Sequence, residues 1–144
     1  IGAAFLNFIM SATGLTNMLN SWLIGLGLSP YMMLLMLVAF YLVIGCFMET
    51  LSLMVTTIPV IAPVMIALGF DPVWLGIVII ILIEVALITP PVGLNLFVVH
   101  SLRTSGSMNA LMIGAIPFVL MLLLLVFLLA IFPGLALWLP QFFN

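Results

Sequence analysis

Four side chains in 144 residues carry a formal charge at neutral pH, Glu49, Asp71, Glu84 and Arg103, and His100 is the one imidazole. A chain so poor in charge has no polar face to offer bulk water. With 68% hydrophobic residues and a mean hydropathy of +1.65 it lies far outside the composition of a soluble domain. It reads as an all-α integral membrane protein, because a helix satisfies its own backbone polar groups where the hydrocarbon of a lipid bilayer cannot. One basic residue makes no surface for a nucleic acid or for anionic headgroups, so nucleic-acid binding is excluded. The chain opens at Ile1 inside apolar sequence, without a basic leader, and reads as a piece of a longer polypeptide.

About twenty apolar residues span a bilayer as a helix, so the informative places are where such runs are cut. The first, 1–27, is interrupted by Ser11, Thr13, Gly14, Thr16, Asn17 and Asn20, and reads as an unwound or protein-facing helix. Ser29-Pro30 starts the second, with Ser as N-cap and Pro at the first helical position. Glu49, Thr50 and Ser52 then follow with no Gly-Pro loop, and a third run carrying Pro59 and Pro63 closes at Gly69-Phe70-Asp71-Pro72. So short a polar tip between two runs near the lower limit for crossing reads as a re-entrant helical hairpin over 30–69. Two full spans joined by a surface turn are the alternative. Residues 72–103 read as one transmembrane helix broken at Thr89-Pro90-Pro91-Val92-Gly93, and 108–140 as a terminal helix with Trp138 near its end. By the positive-inside rule Arg103 marks a cytoplasmic loop, which leaves Asp71, the mouths of the hairpin and Trp138 on the outer side. No internal repeat is evident; if the fold is an inverted-repeat carrier, these residues are one repeat of it.

The break is the richest stretch chemically. Pro90 and Pro91 each remove an amide donor, and the carbonyls four residues back, on Ala86 and Leu87, lose their partners. In a low-dielectric interior those oxygens suit a desolvated alkali cation, with the Thr89 hydroxyl beside them and Gly93 letting the backbone turn. A proline kink satisfied by Thr89 or water is the plain alternative. Beyond the break, the amides of Val92, Gly93, Leu94 and Asn95 open a new helix whose positive end suits a carboxylate, with Asn95 as a side-chain donor. Asn95 would otherwise serve only to pack helices. Gly45 allows close backbone approach at the hairpin tip, where Glu49, Thr50 and Ser52 offer oxygens toward the broken span. Glu84, a carboxylate inside an apolar run, reads as a protonated structural group, a proton site or a partner of the cation site. Cys46 reads as a small buried hydrophobe, and His100 as an interfacial residue with no catalytic role. No heme, flavin or phosphate motif is present, so no cofactor is expected beyond a coupling ion. An intramembrane enzyme is disfavoured, since Glu84 and His100 lack a nucleophile or second metal ligand at helical spacing.

Four stretches in order, Gly45-Cys46-Phe47-Met48-Glu49, Ile58-Pro59 with Pro63, Leu68 to Gly76, and Thr89 to Val98, resemble the large membrane subunit of tripartite ATP-independent periplasmic (TRAP) transporters. The likeness covers the whole chain, through the closing Pro133 to Pro140, and is similar to the C-terminal half of that subunit. It departs from the family pattern at Glu49, where Asp is frequent, and at Ala86, where Gly is frequent. The resemblance implies one repeat of an inverted-repeat, elevator-type, sodium-coupled importer, multi-pass in the bacterial inner membrane. Its partners would be the N-terminal half of the same subunit, a small membrane subunit and a periplasmic solute-binding protein. It also implies a sodium site at Gly45, Ala86, Thr89 and Val92, mostly through backbone carbonyls. Together these readings point to uptake of an organic acid with sodium, the acid held at Gly93, Asn95, Thr50 and Ser52. A dicarboxylate- or citrate-type permease working without a binding protein, and a non-transporting scaffold subunit, are the rival readings.

Overall fold

Capping residues and prolines cut the apolar sequence into separate helices. The computed structural model describes residues 5, 8, 9, 12–90 and 93–141. These form seven principal helices: α1 (Leu15–Gly25), α2 (Pro30–Ile44), α3 (Thr50–Ala67), α4 (Pro72–Ile88), α5 (Leu94–Leu102), α6 (Met108–Ile131) and α7 (Gly134–Gln141). Two of them, Thr50–Ala67 and Met108–Ile131, are long and apolar enough to cross a bilayer. At 1.5 Å per residue α2 and α3 run about 22 and 27 Å, comparable with the roughly 30 Å hydrocarbon thickness.

Local chemistry sets most boundaries. Ser29 accepts the Met32 amide at the start of α2, Asp71 accepts Val73 and Trp74 at the start of α4, and Ser107 accepts Ala110 at the start of α6. Pro30 and Pro72 sit in the first turn, where a missing amide costs no helical bond. At the end of α3, Gly69 takes φ +96°, its amide reaches Ile66 O and Phe70 N reaches Met65 O. This Schellman closure requires a residue tolerant of the left-handed conformation. The polar interruption in the first run is a turn at residues 13 and 14, after which α1 begins.

The terminal helix expected over 108–140 is two helices, and the chain turns at Phe132-Pro133. Pro133 has no amide to give Leu129 O, and the buried Trp74 indole N–H takes that carbonyl at 2.9 Å instead. Pro117, by contrast, stays inside α6, and Pro59 and Pro63 stay inside α3. Phe70 stacks on Trp74 with ring centroids 5.0 Å apart, covering the start of α4.

Helix α4 is apolar on nearly every side and accordingly lies at the centre, touching α2, α3, α5, α6 and α7. Leu82, Val78 and Val85 on it are wholly buried. Helices α2 and α3 are tied by a buried hydrogen bond between Tyr41 Oη and Thr57 Oγ1, 2.7 Å. Thr57 also donates to Leu53 O, so Tyr41 is the donor to Thr57 and both hydroxyls are satisfied. The architecture therefore brings the ends of three helices, α2, α3 and α4, together around one short connection.

Candidate functional site

That connection is the tip formed by residues 45–49. Gly45 ends α2 in right-handed geometry with its amide on Tyr41 O, and Phe47 and Met48 amides return to Ile44 O. Gly45 faces α4 so closely that a β-carbon there would run into the Ala86 side chain and lie 2.5 Å from Tyr41 O. No other residue type fits this approach without a shift. The next residue, Cys46, is buried; its thiol donates to Leu42 O at 2.8 Å and lies 3.5 Å from Thr89 O and 3.9 Å from Pro90 O. Tip and break are thus in contact through backbone and thiol.

At the break, α4 ends at Ile88, Thr89 is extended, and α5 begins at Leu94. Thr89 Oγ1 donates to Val85 O at 2.6 Å, and Thr89 N reaches Ala86 O at a long 3.3 Å. The Thr89 hydroxyl oxygen keeps its lone pairs free, and among the described residues the Ala86 carbonyl has only that long contact in place of the donor Pro90 lacks. Gly93 is buried at φ +47°, and a β-carbon on it would lie 3.0 Å from Thr89 O and 3.3 Å from Leu87 O. A left-handed turn crowded by two carbonyls explains why glycine stands there. The carbonyls of Leu87 and Thr89 thus border Gly93, and those of Thr89 and Pro90 border the Cys46 thiol.

Of the residues expected to hold the cation, the structure brings Gly45, Ala86 and Thr89 together; Val92 lies outside the described residues. Of those expected to hold the acid, Gly93 is the N-cap of α5; it offers no side-chain cap, its carbonyl takes the Leu96 amide at 2.7 Å, and among the described residues nothing accepts the Leu94 and Asn95 amides. Asn95, in the first turn of α5, is exposed. Thr50 and Ser52 lie at the start of α3, where both Glu49 oxygens accept from their own helix: Leu51 N at 2.9 Å, and Ser52 N and Oγ at 3.0 and 3.2 Å. The two helix starts thus differ, one closed by Glu49 and one open at Gly93. Among the described residues no side-chain hydrogen bond joins Thr50 or Ser52 to Asn95.

Two apolar cavities flank this region, about 380 Å³ between α1, α2 and α3 and about 620 Å³ between α4, α5 and α6; neither is lined by Gly45, Thr89 or Gly93. Sequence reasoning missed the thiol contact of Cys46 with the break. Its only signal was adjacency to Gly45.

The profile of a family described as tripartite ATP-independent periplasmic transporter, DctM component, matches residues 1–135. A C4-dicarboxylate TRAP transporter large permease protein of Pseudomonas aeruginosa is 35% identical over 136 residues, 94% of this chain and 32% of the relative. The protein of the same description from Vibrio cholerae is 35% identical over 138 residues, 96% of this chain and 30% of the relative. A sialic acid TRAP transporter large permease protein of Vibrio cholerae is 30% identical over 143 residues, 99% of this chain and 33% of the relative. The chain spans about a third of the length of these relatives and aligns to their C-terminal part. No solved structure matches it.

Proposed function

Because this chain belongs to the DctM component family of tripartite ATP-independent periplasmic transporters, we propose that it forms the C-terminal part of a large permease subunit that carries an organic acid across the bacterial inner membrane together with sodium. The observation that carries this reading is the seat of Gly45 on Ala86, which sets the 45–49 tip against the carbonyls of Thr89 and Pro90. Two consecutive prolines deprive carbonyls of their regular helical donors at a depth where water is scarce, and an alkali ion between tip and break answers both needs.

On this reading α2 and α3 are the arms of a re-entrant hairpin, and α4 and α5 are the halves of one broken transmembrane helix. Gly45, Ala86 and Val92 contribute carbonyl oxygens to the ion and Thr89 its hydroxyl. The ion clamps the tip to the break, and the open start of α5 then presents its amides and the Asn95 side chain to a carboxylate. Thr50 and Ser52 complete the acid site from the tip. Loading both ligands lets hairpin and broken helix move as one body, in an elevator step, against the rest of the subunit. The remaining part of the subunit, a small membrane subunit and a periplasmic solute-binding protein are the partners. The relatives' names point to C4-dicarboxylates and sialic acid as the solutes to try first.

The test is uptake of labelled C4-dicarboxylate and sialic acid into proteoliposomes holding the complete transporter, with and without an inward sodium gradient and with and without the binding protein. Uptake that needs both supports the proposal. Sodium-dependent uptake without the soluble protein would favour a dicarboxylate- or citrate-type permease, and absence of flux for every acid would favour a scaffold.

A further inference from the structure

Helix α4 is enclosed by five neighbours except along one stripe. Positions 73, 77, 80, 84 and 87 follow one another at spacings of 4, 3, 4 and 3, one face of a helix. Val73 and Ile80 on it are 46% and 56% exposed, Ile77 and Leu87 are half-buried, and Glu84 is exposed. Beside the stripe lies Gly76, where an added β-carbon would meet nothing within 4 Å, so another backbone has room to come close.

Other unburied faces of this fold, such as that of α6 with Ile113, Leu120 and Phe127, are apolar and suit lipid. The α4 stripe does not, because Glu84 stands on it. Glu84 lies five residues before Thr89, about 7 Å along the helix from the break, well inside a hydrocarbon layer if the break is near its middle. A carboxyl facing lipid there is costly in either protonation state, and among the described residues nothing bonds to it. The one guanidinium of the chain, Arg103, ends α5 nineteen positions further on and lies against Gly106. Among the described residues no donor faces the Glu84 carboxyl.

We propose that the Glu84 stripe of α4 is the surface on which the preceding two thirds of the large subunit packs, through a membrane helix that gives the Glu84 carboxyl a hydrogen-bond donor. The curated relatives extend over about three times the length matched here, and the chain aligns to their C-terminal part. The stripe ends at Leu87, whose carbonyl lies beside Gly93, so whatever covers it also walls the break from lipid. Non-helical backbone at membrane depth needs that wall permanently, which a segment of the same polypeptide provides. The inference rests on family membership and not on sodium coupling.

The experiment places a photoreactive benzophenone amino acid at position 80 of the full-length subunit in its native membrane, leaves Glu84 intact, and identifies the adducts by mass spectrometry. The proposal expects adducts on the part of the same subunit that precedes this stretch, with or without sodium. Adducts only on lipid, on the small membrane subunit or within this stretch, or no adduct at all, overturn it. A second readout compares melting of the full-length Glu84→Gln and Glu84→Leu variants. An enclosed donor makes Glu84→Leu melt below Glu84→Gln, because the donor is left unpaired. A lipid-facing position makes Glu84→Leu melt at or above Glu84→Gln and refutes the proposal. Neither readout involves transport, so failure here and failure of the sodium reading are distinguishable.

Discussion

Replacing Gly45 with Ala tests the contact between tip and break at its tightest point. The new β-carbon would overlap Ala86, lie 2.5 Å from Tyr41 O and lie 3.3 Å from Leu53 Cδ2. Leu53 can turn aside, but Tyr41 O is backbone and accepts the Gly45 amide, so it yields only if the last turn of α2 moves. Overpacking of this kind costs about 1–3 kcal/mol, and a clash with backbone belongs in the upper half of that range. If the relief is movement of the tip away from the break, about 2–3 kcal/mol is lost from cation binding, a roughly 30- to 150-fold rise in the sodium concentration for half-maximal uptake. Ala86→Gly removes one of the two clashes. Alone it costs about 1 kcal/mol as a glycine inside a helix, and combined with Gly45→Ala it should return about 1 kcal/mol or more of coupling. The assay is sodium-dependent uptake in proteoliposomes for wild type, both single variants and the double variant, normalised to inserted protein. An unchanged sodium requirement in Gly45→Ala, or strictly additive single effects, would refute the reasoning.

Trp74→Phe should lower the stability of the subunit by about 1–3 kcal/mol in thermal unfolding, since Leu129 O loses the indole donor that replaces the amide absent at Pro133, and Pro133→Ala should recover part of the loss. Glu49→Ala should speed hydrogen exchange at the Leu51 and Ser52 amides, with Glu49→Asp much closer to wild type, as read by mass spectrometry of the tip peptide. Asn95→Ala should raise the KM for the acid about tenfold, the loss of one hydrogen bond to a charged group, while leaving the melting temperature nearly unchanged because the side chain is exposed. An unaltered KM would leave Asn95 a packing residue.

Helix starts were legible because the groups that set them are neighbours in sequence: Ser29, Asp71 and Ser107 each accept an amide two or three residues on. The split at Pro133 was not, because proline alone does not decide it. Pro59, Pro63 and Pro117 remain inside helices, whereas the carbonyl orphaned by Pro133 is taken by Trp74, 55 positions away. In the site, Ala86 followed from the four-residue reach of Pro90, but its meeting with Gly45 depended on how α2 and α4 pack and came only through the family resemblance. Glu49 offers oxygens at the tip in the sequence, and the structure puts both of them on the first turn of α3. The pattern of an acid followed three residues later by Ser at a helix start carried that information. The Tyr41–Thr57 bond joins two helices across sixteen residues and has no local signature.

Cys46 reports on the junction between tip and break without any change to the protein. Its thiol is buried against Leu42, Thr89 and Pro90, so a membrane-permeant maleimide reaches it only when the tip leaves the break. The measurement is the alkylation rate of the Cys46 peptide in the full-length subunit, followed by mass spectrometry during a titration with sodium against choline at constant ionic strength. An ion bridging tip and break predicts a rate that falls saturably with sodium and not with choline. A rate indifferent to sodium over the whole range would contradict it.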